Sequence, residues 1–261
     1  AMSRWKPEDS VSIVTGASSG IGRCLCERLI RQGAHVVAVA RRRERLQQLA
    51  EIPGKGSLLA VSGDVTDPSV RDEVARAAAS LRDGQVDLLV NNAGIGAIGA
   101  FAQASPERLR RIMEVNFFAP AELIRTLVPN LRRGRDPVIC NIGSVLGHRA
   151  VPDKSEYCAS KFALHGLSDS LRAELAVDGI QVTIVSPSTT DSEFFDSLIE
   201  TESAKSKSLG SWPPDRVARA TLAAIRTRRS EVICSWGGKA LVYADRLAPP
   251  LMNAMLAKTK E

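Results

Sequence analysis

Aromatic rings are scarce in this chain, at 4% of its 261 residues. Nucleic-acid platforms stack bases on such rings, and the basic clusters Arg41–Arg43 and Arg132, Arg133 and Arg135 have few aromatics among them and no recognition motif. No nucleic-acid partner is expected, and the formal charge of +6 is modest. The cysteines (Cys24, Cys26, Cys140, Cys158, Cys234) number five, an odd count without metal-ligand spacing. They argue against a disulfide framework and suggest no metal site; reduced thiols in a reducing, cytoplasmic compartment are expected. No apolar run reaches the roughly 20 residues of a membrane span, and Trp5-Lys6-Pro7-Glu8-Asp9 interrupts any signal-peptide core. Repeats, low-complexity runs and linkers are also missing, so one domain over 1–261 is expected.

What the chain does have is alternation. Short runs rich in β-branched residues (11–14, 35–40, 58–62, 87–90, 137–142, 180–186 and 231–235) are separated by helical patterns, one of which predicts a single long helix over 106–131. Strands alternating with helices argue an α/β chain with a doubly wound parallel sheet.

The first run leads straight into Thr15-Gly16-Ala17-Ser18-Ser19-Gly20-Ile21-Gly22 and then a helical pattern. Strand, glycine-rich turn and helix present backbone N–H groups and a helix N-terminus to a phosphate; the alternative is a tight turn without a ligand. At the end of the second run, an acid would hydrogen-bond the ribose hydroxyls of NAD. Here stand Arg41-Arg42-Arg43, with no acid before Glu44. Guanidinium groups suit a 2′-phosphate, so NADP(H) is preferred and NAD(H) is possible. Farther along, Tyr157 and Lys161 lie four apart in a helical pattern, one turn above the other. A cation beside a phenol favours phenolate, so the Tyr157 pKa is expected well below its usual value of about 10.

Thr15-Gly16-x-x-x-Gly20-x-Gly22, Asn91-Asn92-Ala93-Gly94, Asn116, Ser144 and Tyr157-x-x-x-Lys161 follow the order and rough spacing of the short-chain dehydrogenase/reductase family. The chain resembles that family's single-domain form over nearly its whole length. The resemblance implies a Rossmann-type, doubly wound, seven-stranded parallel sheet with helices on both faces. It also implies a nicotinamide dinucleotide at the glycine turn, with Gly16, Ser18, Ser19, Gly20, Ile21 and Gly22 among its binding residues. Tyr157 would be the general acid for carbonyl reduction and the base for alcohol oxidation, and Ser144 would hydrogen-bond the substrate oxygen. Lys161 would bind the nicotinamide ribose, and Asn116 would hold a water that links Lys161 to solvent. Asp64 and Val65 would flank the adenine. Asn91, Ala93 and Gly94 would follow the adenosine ribose and diphosphate, and Pro187, Thr190 and Ser192 complete the expected cofactor site. Three positions depart from the family pattern: Ser188 where glycine usually follows the proline, Ser192 where threonine is usual, and Ser19 where many NADP enzymes carry a basic residue. Arg41 and Arg42 must then hold the 2′-phosphate.

The candidate substrate walls are 96–101, 146–152 and a flap over about 188–212, where Phe194, Phe195, Leu198 and Ile199 face an apolar substrate or pack the flap. His148 is expected to be exposed, and His165 to pack. For the C-terminal extension, about 236–261 and broken at Pro249-Pro250, the main expectation is packing or a dimer contact, with peripheral membrane contact the lesser one. Long apolar faces on the Asn116 and Tyr157 helices resemble those through which the family forms dimers and tetramers, so a homodimer or homotetramer is expected. These readings converge on an NADP(H)-preferring oxidoreductase moving a hydride between nicotinamide and a carbonyl or secondary alcohol of a fairly apolar small molecule. The alternatives are a 3-oxoacyl-thioester (acyl carrier protein) reductase and a non-catalytic dinucleotide-binding sensor.

Overall fold

The computed structural model describes residues 5–188, 190, 198–199 and 211–257. Seven strands lie in the chain order β1 (Val11–Thr15), β2 (His35–Ala40), β3 (Ser57–Ser62), β4 (Leu88–Asn91), β5 (Val138–Ile142), β6 (Gln181–Ser186) and β7 (Glu231–Ile233). They form one all-parallel sheet ordered β3-β2-β1-β4-β5-β6-β7. Successive side chains point to opposite faces, so Val14, Val36 and Ala38 enter one core while Ile13, Val37 and Val39 enter the other. A strand buried on both faces has no polar side to alternate with, which is why these stretches read as unbroken apolar runs.

Helices cover both faces, as expected for a doubly wound sheet. On one face, α1 (Gly20–Arg31) contributes Leu25 and Leu29, and α2 (Arg43–Ala50) contributes Leu46 and Leu49. On the other, α3 (Pro68–Ala79) contributes Val74 and Ala78; its start is capped by Asp67, which accepts from the Ser69 N–H at 2.8 Å. The expected helix over 106–131 is divided. A regular α4 (Pro106–Met113) passes through a π turn (Glu114–Phe118) into α5 (Ala119–Leu131), whose Leu123 and Leu127 also join the second core. The catalytic-motif helix is α6 (Ser155–Glu174), and α7 (Pro214–Arg226) packs Leu222 and Ile225 beside α1.

Strand β7 is shorter than the run 231–235, because Ser235 turns the chain into α8 (Trp236–Leu247) and accepts from the Gly238 N–H at 2.9 Å. The proline pair opens α9 (Pro249–Ala257). Packing of this extension is achieved by Val242 and Met252, while Trp236, Tyr243, Leu247, Leu251 and Met255 stay exposed. No described helix is long and apolar enough to cross a membrane.

A buried ion pair joins α4 to α6. Arg108 donates through Nε and Nη2 to Glu156 Oε1 at 2.9 and 2.7 Å, with the side chains only 4% and 1% exposed. Removing one partner strands the other charge in the interior, at a cost of about 3–5 kcal/mol. Arg108→Ala is expected to lower the urea-unfolding free energy by about that amount. Arg108→Met combined with Glu156→Leu, which removes both charges, should recover most of it. Equal losses in the single and double variants would contradict this account.

Candidate active site

The sheet order reverses at β1, whose neighbours β2 and β4 send the chain in opposite directions, and ligands of open α/β sheets bind in that crevice at the strands' carboxyl ends. Side chains lock the crevice open. Thr15 Oγ1 accepts from the N–H groups of Asn92 and Ala93, both at 3.0 Å, while Asn92 Nδ2 donates to Thr15 O at 2.9 Å and to Gly16 O at 3.2 Å. Gly16 has φ +66°, and an added Cβ would lie 2.8 Å from Asn92 Nδ2. One at Gly22 would lie 2.3 Å from Gly16 O. Neither position admits a side chain. The turn therefore brings its backbone against the start of α1, which has no acid in its first turn and no side-chain cap. Such a terminus favours an anion.

A cavity of about 660 Å³ opens from this turn. Gly16, Ser18, Ser19, Gly20 and Ile21 line it, and Gly22 does not: it serves the close packing of α1 behind the turn. At the end of β2, Arg41 and Arg42 line the cavity. The Arg42 guanidinium reaches across to the turn, donating through Nη2 to Ser18 Oγ at 3.0 Å and Ser19 Oγ at 2.8 Å. Asp64 and Val65 follow, joined by Arg111 of α4, a residue that no sequence motif pointed to. Arg111 Nη2 donates to Asp64 Oδ2 at 2.7 Å. Burial alone would raise the Asp64 carboxyl, but hydrogen bonds from the Thr66 N–H and hydroxyl and from Arg111 outweigh it and hold the pKa below its ordinary value. Glycine turn, helix terminus, two arginines and cavity size together fit a dinucleotide.

Asn91 requires a correction. Ala93 and Gly94 line the cavity, but the Asn91 side chain is buried in the sheet and donates to Asn141 Oδ1 at 2.8 Å. Its neighbour Asn92 lines the cavity instead and fixes the glycine turn. Pro187 and Thr190 line the cavity. Ser188 lines it too and accepts from Ser235 Oγ at 2.9 Å, so the residue replacing the usual glycine has a partner. Ser192, Phe194 and Phe195 lie outside the described residues. Leu198 faces the cavity, whereas Ile199 packs with Ile95, Ala97 and Ile112.

At the far end the cavity is walled by Ser144, Tyr157 and Lys161. Ser144 follows β5, and its hydroxyl hydrogen-bonds the Tyr157 phenol. Lys161 Nζ lies 5.7 Å from the Tyr157 ring centroid and donates to Ile142 O at 2.8 Å. Burial dominates both titrations: it pushes Tyr157 up to about 12, against the Ser144 hydrogen bond, and Lys161 down to about 8. The expected lowering of the phenol pKa is thus not met, because desolvation of the phenolate exceeds any gain from the nearby cation.

Asn116 does not line the cavity. Its amide ties together the elements that do, with Oδ1 accepting from Ile95 N at 2.9 Å and Nδ2 donating to Ile95 O and Ser160 Oγ, each at 2.9 Å. The π turn places it there, and such turns recur at functional sites.

Residues 10–203 match the short chain dehydrogenase family. The chain is 33% identical to dehydrogenase/reductase SDR family member 7B of Bos taurus, over 95% of this chain and 81% of that one. It is 32% identical to the uncharacterized oxidoreductase YxnA of Bacillus subtilis, over 97% and 73% respectively. A short chain dehydrogenase from Burkholderia cenocepacia, solved in complex with NADP, superposes with a TM-score of 0.81 at 29% identity, covering 97% of this chain and 99% of the other. A cavity built on the glycine turn and closed by Ser144, Tyr157 and Lys161 is therefore found in a chain that belongs to the short-chain dehydrogenase/reductase family, whose members are oxidoreductases using nicotinamide dinucleotides.

Proposed function

We propose that this enzyme is an NADP(H)-preferring carbonyl reductase acting on a fairly apolar ketone or aldehyde, with the whole chain working as one dinucleotide-binding unit. The observation carrying the cofactor preference is the pair Arg41 and Arg42 on the cavity wall at the end of β2, where an acid would select NAD. Arg42, braced by Ser18 and Ser19, is held in position for a 2′-phosphate. The apolar preference rests on the cavity walls, which include Ile98, Leu146, Val151, Leu198 and Leu241.

When bound, the nicotinamide supplies the hydride that goes to the carbonyl carbon. The chain's own residues manage the oxygen. Tyr157, pushed up to about 12, is protonated at neutral pH, which is the form that donates a proton to a developing alkoxide. Ser144 holds that oxygen by a hydrogen bond that strengthens as charge grows. Lys161 contributes a positive charge below about pH 8 and a donor for a ribose hydroxyl. Asn116 holds the loop at Ile95 to Ser160, next to Lys161; the expected water would sit near this junction as the route for proton resupply. Exposed Phe118 and Phe162, on the π turn and on α6, support the reading of these faces as homo-oligomer contacts.

Three outcomes test this function. Tyr157→Phe is expected to keep NADPH binding while losing turnover by roughly 10² or more; binding without turnover in the unaltered protein, across a panel of ketones, aldehydes and 3-oxoacyl thioesters, would support the sensor instead. Arg42→Ala is expected to weaken NADPH far more than NADH in a fluorescence titration, and equal losses would refute its phosphate role. Because burial lowers the Lys161 pKa, the residue is cationic below about pH 8 and neutral above it. Reductive kcat/KM should therefore fall as pH rises through that value, and a flat profile would separate the lysine charge from turnover.

A further inference from the structure

Behind the Ser144 loop, outside the cavity lining, three ligating side chains from distant parts of the chain converge. His148 comes from that loop, His165 from α6 one turn beyond Lys161, and Glu231 from the start of β7. His148, expected to be exposed, is only 9% exposed at its side chain, and its Nε2 stands 2.6 Å from Glu231 Oε1. The two imidazoles meet edge to face, with centroids 4.3 Å apart at 78°. Ser186 Oγ sits between them, 3.3 Å from His148 Nε2 and 3.4 Å from His165 Nε2. One donor atom from each of the three residues lies within 4.8 Å of the other two.

We propose that His148, His165 and Glu231 form a binding site for a divalent transition metal of the zinc class. A simple His148–Glu231 ion pair would account for only part of the arrangement. Glu231 Oε1 is enclosed and faces His148 Nε2. His165 Nε2 is turned to the same spot, and it has room there because Gly143 and Gly147 lack side chains: an added Cβ at either would lie 2.7 or 2.8 Å from that nitrogen.

The donor set identifies the cation. Two imidazole nitrogens and one carboxylate suit Zn²⁺ and its neighbours Co²⁺ and Ni²⁺, whereas Mg²⁺ and Ca²⁺ favour oxygen. Bonds of about 2.0–2.2 Å in a tetrahedron place ligand atoms about 3.3 Å apart, so modest side-chain adjustment closes the site around an ion. Three protein ligands leave a fourth position for water or the Ser186 hydroxyl. Ligation through Nε2 puts the His148 proton on Nδ1, where Arg246 Nη2 now approaches at 3.5 Å; that exposed arginine then turns to solvent. The bound ion would clasp β7, the α6 helix and the Ser144 loop together, a structural role apart from hydride transfer.

The test titrates EDTA-stripped full-length protein with Zn²⁺ against a chromophoric chelator, with thermal unfolding followed in parallel. The expected result is about one equivalent bound and a Tm raised by zinc, with both effects lost in Glu231→Gln and His165→Asn. His165 is packed, so Glu231→Gln is the variant that guards against misfolding, provided its metal-free Tm stays near that of the unaltered chain. Failure of the unaltered protein to compete with the chelator would overturn the proposal. So would one-equivalent binding that survives both substitutions.

Discussion

The structure turns on the knot between the ends of β1 and β4. Where the sheet reverses, two strands must part without leaving their terminal N–H groups unpaired, because an unsatisfied buried polar group costs about 1–3 kcal/mol. Thr15 Oγ1 takes the N–H groups of Asn92 and Ala93, and the Asn92 amide takes the carbonyls of Thr15 and Gly16. This arrangement pulls the glycine turn against Ala93–Gly94, so the floor of the cavity is set by a few hydrogen bonds between two strand ends. Gly94 in turn lies beside Asn116 and Lys161, with its added Cβ 3.3 Å from Asn116 Oδ1 and 3.8 Å from Lys161 Nζ. The cofactor end and the catalytic end are thus joined through backbone, a linkage that tolerates little change in side-chain size.

Burial sets the chemistry at the other end. A half-buried phenol and a buried ammonium are both pushed toward their neutral forms, Tyr157 upward and Lys161 downward. The same desolvation strengthens the contacts that remain, from Ser144 to the phenol and from Lys161 to Ile142 O.

Much of this was legible in the chain itself. The alternating runs carry the parallel sheet, and the glycine turn and the Tyr157–Lys161 spacing are local patterns whose meaning survives folding. Other features depend on tertiary structure. Asn91 and Asn92 are adjacent, and which of them faces the cavity depends on how the end of β4 is set; side chains alternate, so the choice inverts with a shift of one residue. The reading of 106–131 as one helix misses the π turn, which is stabilised by contacts of Asn116 with Ile95 and Ser160 that a local pattern cannot reveal. Arg111 reads as any surface arginine until α4 packs beside Asp64. The phenol pKa follows from exclusion of water, which spacing does not encode. His148, His165 and Glu231 have no fixed separation in sequence because the sheet, not a local motif, assembles them.

The π turn also acts on the geometry of the long helix as a whole. One residue more than an α-helical turn advances everything downstream by about 100° around the axis. α4 can therefore aim Arg108 at Glu156 on α6, while α5, continuing the same rod, aims Leu123 and Leu127 at the sheet. The extra residue works as a change of gear within a single shaft, and Asn116 sits at the point where the phase changes.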